Sequence, residues 1–309
     1  MKRVLFVNHR TRACGVQQAG FRYFEALNQS ARFECHYIDV DEGWEFEHWA
    51  DVLKPAAVIY NFYSAVTMPW MSRDLVEKHR GHFRQLSIYH ELDLSSFRFD
   101  LLLHQDPTTE DAFPHWKLPR AIPEWNAPIV QNDTPAFGSF GFGLGGKGYS
   151  DLVERVQDEY DDALIRLHIP SAAFGDAEGR GAENYIEDAK KRIKKKGIIL
   201  QVSRNFLSQT QLLHWLSQHD CNVFPYEENY GRGIASVTDY ALAVKRPIAI
   251  TRSCQFRHLW TQDESFLLEE KSLREIIGTG TAHLDKFHQM WSRKNLTRSF
   301  EAALESLGL

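Results

Sequence analysis

The sequence predicts an α/β protein built as two Rossmann-like, doubly wound domains that face a central cleft. Three observations carry that expectation. Short apolar runs alternate with stretches of helical period throughout, the pattern of parallel sheets covered by crossover helices. The chain is 309 residues long, beyond the size at which single cores stop growing. Polar side chains recur just after the apolar runs, where ligands sit in such sheets.

In the first half, Val4–Val7 is a buried-type strand ending in Asn8-His9, followed by the loop at 10–15. A helix is expected over about 16–27, with Val16, Ala19, Gly20, Tyr23 and Leu27 on its core face. Strands follow at 33–40, 57–60, 86–89 and 101–103, the last two ending in His90-Glu91 and His104. Asn8, His9, Asn61, His90, Glu91 and His104 therefore fall at the carboxyl ends of strands, although a lone residue there often only satisfies a loop carbonyl. Pro107, Pro114, Pro119, Pro123, Pro128 and Pro135 then punctuate the chain, with Trp116 and Trp125 among them. That stretch reads as the crossing between domains, with a hinge near 130–136.

The second half repeats the alternation. A strand at 137–142 leads into a glycine-rich turn at 141–149, then a helix at about 150–160. Strands at 163–169 and 198–202 flank a polar helix, and another helix spans 209–218. The stretch from Phe224 to Thr251 reads as strand end, loop, helix and strand. Its helix is expected to begin near Arg232-Gly233, with Ile234, Val237, Ala241 and Leu242 on one face and Ser236, Thr238 and Asp239 off it. Amides at that start, the close approach permitted by Gly231 and Gly233, and the Arg232 fork suit an anion. An ordinary strand-to-helix turn with a solvated arginine fits the same residues. The last segment, about 282–307, has helical spacing through Leu284, Phe287, Trp291, Phe300 and Leu304. The divisions expected are 1–132, 133–282 and a terminal helix at 283–309.

Composition narrows the function. Apolar residues make up 43% of the chain, enough for a core in each domain. The net charge of −5 disfavours a general nucleic-acid binder without excluding a local basic groove. Cys14, Cys35, Cys221 and Cys254 are scattered without CxxC spacing, as expected of reduced thiols in a cytoplasmic protein. No signal-type apolar region opens the sequence and no run approaches a membrane span, while a peripheral membrane contact stays open. The basic run from Lys190 to Lys196 follows Glu183, Glu187 and Asp188 on one helix, which suits a solvated helix ordered by its dipole; docking to anionic lipid or a charged polymer is the alternative.

In the glycine-rich turn, Gly141, Gly143, Gly145, Gly146 and Gly148 surround Lys147. The GKS/GKT ending of a Walker A loop is missing, and Gly141-x-Gly143-x-x-Gly146 matches a dinucleotide fingerprint only in the second half of the chain. Lys147 at the helix start fits a phosphate-approach loop better. No DxD pair lies in these loops, so no metal site is expected.

These motifs, in order, resemble GT-B glycosyltransferases, especially the group called family 4. Gly141-Phe142-Gly143-x-x-x-Lys147-Gly148 resembles the family's Gly-Arg-Leu-x-x-x-Lys-Gly. Pro225-Tyr226, then Arg232-Gly233-Ile234-Ala235, then Tyr240-Ala241-Leu242-Ala243 and Pro247 resemble its Pro-Ser, Glu-Gly-Phe-Gly and Glu-Ala-x-Ala-x-Gly-x-Pro block. Cys14-Gly15-Val16 is similar to the family's glycine loop facing the acceptor. The sequence departs from the family at Phe142, which stands at a phosphate-contacting arginine, and at Arg232 and Tyr240, which stand at the paired glutamates.

The resemblance implies a hexosyltransferase-type enzyme that uses a nucleotide-diphosphate sugar as co-substrate, with no cofactor or metal, and transfers with retention. It assigns the donor diphosphate to Lys147, Gly146, Arg232, Gly233 and Ile234, and the nucleoside to Ser203, Arg204, Asn205 and Asp239. The acceptor loop is Cys14, Gly15 and Val16. An inverting reaction would need a base, for which His90, Glu91 and His9 are the candidates. The acceptor is a saccharide, a lipid-linked sugar or another hydroxyl-bearing molecule, nucleic acid included. A sugar-nucleotide epimerase of the same fold and a non-catalytic sugar-nucleotide-binding protein are the alternatives.

Overall fold

The structure is a computed structural model that describes residues 1–63, 67–90, 97–109, 115–230 and 232–309. The elements run in order β1 (Lys2–Asn8), α1 (Gly15–Leu27), β2 (Phe33–Asp39), α2 (Gly43–Leu53), β3 (Ala57–Phe62), α3 (Arg73–Lys78), β4 (Arg84–Tyr89), β5 (Leu101–His104) and β6 (His115–Lys117). They continue with β7 (Ala136–Phe140), α4 (Tyr149–Glu159), β8 (Asp162–His168), α5 (Arg180–Arg192), β9 (Gly197–Ser203), α6 (Gln209–Ser217), β10 (Cys221–Phe224), α7 (Val237–Ala243) and β11 (Ile248–Ile250). The chain closes with α8 (Arg257–Trp260), α9 (Leu273–Thr279), α10 (Asp285–Met290) and α11 (Arg293–Ser306).

Two compact units result, one of Met1–Ile122 with Gln289–Leu309 and one of Pro123–His288. Stretch 123–132 groups with the second unit. Its Asn132 amide donates to the Gln218 carbonyl at 3.0 Å and to Asp220 at 3.1 Å, and the Trp125 ring approaches His214.

The first unit is a parallel sheet in the order β2-β1-β3-β4-β5-β6. β1 and β3 are buried along most or all of their length, as strands covered on both faces must be. One face is packed by α1 through Ala19, Tyr23, Ala26 and Leu27, together with α11 through Leu296, Phe300, Ala303 and Leu304. Thr297 ties α11 to α1 by donating to the Ala26 carbonyl at 2.8 Å. The opposite face is filled by Phe46 and Ala50 of α2 with Met68, Met71 and Val76.

The second unit is a parallel sheet in the order β11-β10-β7-β8-β9, with the core of α4, α5 and α9 on one face. α4 contributes Leu152, Val153 and Val156, each fully buried. α5 turns Ala182, Ile186 and Ala189 inward.

Several expectations are corrected. The strand expected at 137–142 ends at Phe140, because Gly141 leaves extended geometry with φ 156°. The helix placed at Arg232-Gly233 begins only at Val237 and has seven residues. The chain ahead of it is drawn away instead, with the Ala235 amide donating to the Gln255 carbonyl at 3.0 Å. Nor does α7 have a polar side: Thr238 and Asp239 are as buried as Ala241 and Leu242. The terminal segment is a 3₁₀ turn at Ala282–Leu284, then α10 and α11, broken where Ser292 caps the Asn295 amide. The first helix begins one residue earlier than expected, so Gly15 as well as Val16 lies inside the first turn of α1 and only Cys14 precedes it. The basic run expected on one helix is split: α5 ends at Arg192, where Lys190 pairs with Glu187 and Arg192 with Glu154, while Lys195, beyond the helix, pairs with Asp161.

Candidate functional site

Each sheet has one place where its strand order reverses, and crossover loops on either side of that point leave in opposite directions. In the first unit it lies between β1 and β3, and in the second between β7 and β10. Polar and charged side chains collect at both.

In the first unit, Asn8 ends β1 and Asn61 lies near the end of β3, and both are fully buried. The Asn61 amide donates to Asn8 Oδ1 and to the Val16 carbonyl, each at 2.9 Å. Asn8 in turn donates to the Gln17 carbonyl at 2.9 Å and to the Tyr37 hydroxyl at 3.2 Å. Asn61 Oδ1 is left facing His90 Nε2 at 2.7 Å, while Gln105 Nε2 lies 2.5 Å from His90 Nδ1. Gln105 is oriented by Arg120, which donates to its Oε1 at 2.8 Å and to its carbonyl at 3.1 Å. The network thus fixes one tautomer. His90 Nε2–H donates to Asn61, and Nδ1 accepts from Gln105.

Burial, reinforced by the positive charge of Arg120 and the neighbouring His9 and Arg22, pushes the His90 pKa down to about 3. His9 is also buried, and burial lowers its pKa against an opposing pull from Asp41. Cys14 is the residue before α1, with a thiol raised by burial. His104 is buried at the end of β5, with its ring 4.9 Å from His115. Glu91 lies outside the described residues. Sequence reasoning missed Gln105, Arg120 and Tyr37; the available signal was that Gln105 directly follows a strand end already marked by His104.

In the second unit, the loop after β7 carries Lys147 and the loop after β10 carries Tyr226, Glu227 and Arg232. The two loops are pressed together. Gly148 adopts φ 62°, and a Cβ there would lie 1.9 Å from the Pro225 carbonyl oxygen, so the close approach requires glycine. Glu227 also donates its amide to the Gly146 carbonyl at 3.1 Å. Lys147 is half-buried, with Nζ 3.9 Å from the centroid of the Tyr226 ring. Among the described residues no carboxylate pairs with it. Burial, with the repulsion of nearby Arg232, lowers its pKa to about 8. Arg232 itself is exposed, and Gly231 beside it lies outside the described residues.

The other expected donor contacts are placed differently. Gly233 is half-buried and Ile234 buried in the non-helical stretch before α7, so their amides are not those of a helix start. Ser203 ends β9 with its hydroxyl 2.8 Å from His168 Nδ1. Arg204 is ion-paired with Glu183 and donates to the Gly179 carbonyl at 3.1 Å. Asn205 is exposed, whereas Asp239 is buried within α7. The start of α5 is already filled, since Asp176 accepts from the Gly181 and Ala182 amides at 2.8 and 3.0 Å. Among the described residues, no three His, Cys, Asp or Glu side chains gather as a metal would need, and no helix is long and apolar enough to cross a membrane.

No known family model matches the sequence, and no curated protein matches it. Solved structures do match. The lipopolysaccharide outer core galactosyltransferase WaaB, in its apo form, is 13% identical over 99% of this chain and 100% of its own, with a TM-score of 0.63. HepE from Anabaena, in complex with UDP and glucose, is 10% identical over 99% of this chain and 100% of its own, with a TM-score of 0.65. An alpha-glucosyltransferase in complex with UDP and a 13-mer DNA is 9% identical over the whole of both chains, with a TM-score of 0.65. The two parallel-sheet units, of six and five strands, are therefore those of the GT-B glycosyltransferase fold.

Proposed function

We propose that the chain is a glycosyltransferase that moves a sugar from a nucleotide-diphosphate sugar to a hydroxyl acceptor, without a metal and with retention of configuration. The observation that carries this reading is Lys147. It is a half-buried ammonium with no carboxylate partner among the described residues, set beside Arg232 at the point where the second sheet reverses its strand order. A cation left in that state is matched by an anion that arrives with the substrate. As the glycosidic bond breaks, negative charge grows on the departing diphosphate. Lys147 and Arg232 stabilise it from fixed positions, the part a metal plays elsewhere.

HepE and the alpha-glucosyltransferase are each in complex with UDP, which supports a uridine donor for this chain. The alpha-glucosyltransferase complex also contains DNA, which supports keeping nucleic acid among the acceptors, beside saccharides and lipid-linked sugars. Retention is supported by His90. With Nε2–H given to Asn61 and Nδ1 accepting from Gln105, neither ring nitrogen is left to take a proton from an acceptor. We read the second unit as the donor lobe, with Gly146, Gly233 and Ile234 lining the diphosphate and Ser203, Arg204, Asn205 and Asp239 nearest the nucleoside. The first unit is then the acceptor lobe, approached through Cys14, Gly15 and Val16. The dispersed free cysteines support a reducing, cytoplasmic setting.

Incubation with UDP-, GDP- and ADP-sugars, excess chelator and a panel of acceptors tests the reading. Free nucleoside diphosphate together with a glycosylated acceptor is expected. An altered sugar nucleotide would instead identify an epimerase, and binding without turnover a sensor. Lys147→Ala and Arg232→Ala are each expected to weaken UDP binding strongly, and wild-type binding in both would show the site to be elsewhere.

A further inference from the structure

A lysine drawn out of water is ordinarily held by a carboxylate. Lys147 is held by a ring. Its Nζ lies 3.9 Å from the centroid of Tyr226, which is 1% exposed and packs against Phe256 at 4.8 Å and edge-on to Phe224 at 6.4 Å. The Tyr226 carbonyl accepts from the Thr251 hydroxyl at 2.5 Å, so backbone and ring are both anchored. The buried hydroxyl has no hydrogen-bond partner among the described residues. It is the aromatic face, not the phenol, that this position uses.

We propose that Tyr226 is the positioning residue that presents the Lys147 ammonium to the donor diphosphate, its ring face standing in for a counter-ion. The inference rests on the function proposed above. A carboxylate at this point would occupy the ammonium's donors and repel an incoming phosphate. A ring face attracts the cation through its quadrupole yet accepts no conventional hydrogen bond, leaving the N–H groups for phosphate oxygens. Other groups around Lys147 do not replace it. Arg232 repels; Glu227 forms no ion pair with Lys147; Tyr149 donates to the Gly141 carbonyl; and the Tyr185 hydroxyl faces the Gly146 and Lys147 amides.

The test grades the ring without changing its shape. Tyr226 is replaced by phenylalanine and then by phenylalanines bearing two and three ring fluorines, each of which weakens the quadrupole. Two quantities are read: the Lys147 pKa in ligand-free protein, from the ¹⁵Nζ resonance, and UDP affinity between pH 6.5 and 9.5. Tyr226→Phe is expected to keep both within about twofold. Progressive fluorination is expected to lower the Lys147 pKa in steps and to weaken UDP binding by about tenfold at the end of the series, the scale of a desolvated cation–π contact. It should also move the loss of affinity to lower pH. A Lys147 pKa that ignores fluorination would overturn the proposal. So would UDP affinity that stays constant across the series while the pKa shifts. If wild-type protein bound no nucleoside diphosphate, the functional reading would fail by itself, and the ligand-free pKa series would still decide whether the ring holds the ammonium.

Discussion

Gly20 lies in the middle of α1, where alanine would ordinarily be preferred by about 1 kcal/mol. Here α1 crosses directly over the amides that join β1 to β3. A Cβ on Gly20 would stand 2.2 Å from Asn61 Nδ2 and 2.8 Å from Asn8 Nδ2. Asn61 cannot turn aside without losing its bonds to Asn8, Val16 and His90. Overpacking against so fixed a group costs about 3 kcal/mol, the upper end of the usual range. Gly20→Ala should therefore destabilise the first unit by about 2 kcal/mol net of the propensity gain. Asn61→Ala alone should cost about 3 kcal/mol, from three hydrogen bonds at roughly 1 kcal/mol each. The double variant is the informative one. With the Asn61 amide gone, the two closest approaches to the new methyl are removed and the contact with Asn8 remains, so Gly20→Ala should cost about 0.5 kcal/mol further, a coupling of about 1.5 kcal/mol. Hydrogen-exchange protection of α1 and β1 amides reads the first unit separately from the second. Effects that add to within about 0.5 kcal/mol would show that the two groups do not collide, and the account of this junction would be wrong.

Other outcomes are expected. Burial holds His90 and His219 at about 3 and His168 at about 4, below the ordinary 6.5. The unfolded chain therefore takes up protons first as pH falls. Stability is full above about pH 6.5 and declines towards pH 4, by at most about 1.4 kcal/mol per pH unit for each histidine and less for half-buried His90; urea midpoints equal at pH 7.5 and 5 would contradict this. UDP affinity should fall as pH rises through about 8, where Lys147 loses its proton, and calorimetry across that range checks it. Phe300→Ala removes a fully buried ring set edge-on against Tyr23 and should cost about 3–5 kcal/mol, seen as a large drop in melting temperature. Ser292→Ala, which strips the cap from α11, should cost only about 1 kcal/mol in the same assay.

Much of the fold could be read from periodicity. β10 at Cys221–Phe224 and β11 at Ile248–Ile250 coincide with their apolar runs, because a strand buried on both faces leaves no other pattern. Helix limits were less legible. Arg232–Ser236 has the composition of a helix start, yet its Ala235 amide is claimed by the turn at Cys254–Phe256, a partner remote in sequence. The strand β6 lies among prolines and half-buried residues and gives no period of its own.

The sequence by itself determined that chemistry would collect after the strands, since backbone alternation sends loops to that edge, and it singled out Lys147, Asn8, Asn61 and His90. Only the tertiary structure decided what those residues are to one another. Tyr226 lies 79 positions from Lys147 and Gln105 lies 15 from His90. Whether a lysine faces a carboxylate or a ring, and whether a histidine keeps a free nitrogen, is set by distances of a few ångströms that arise only when parallel strands align.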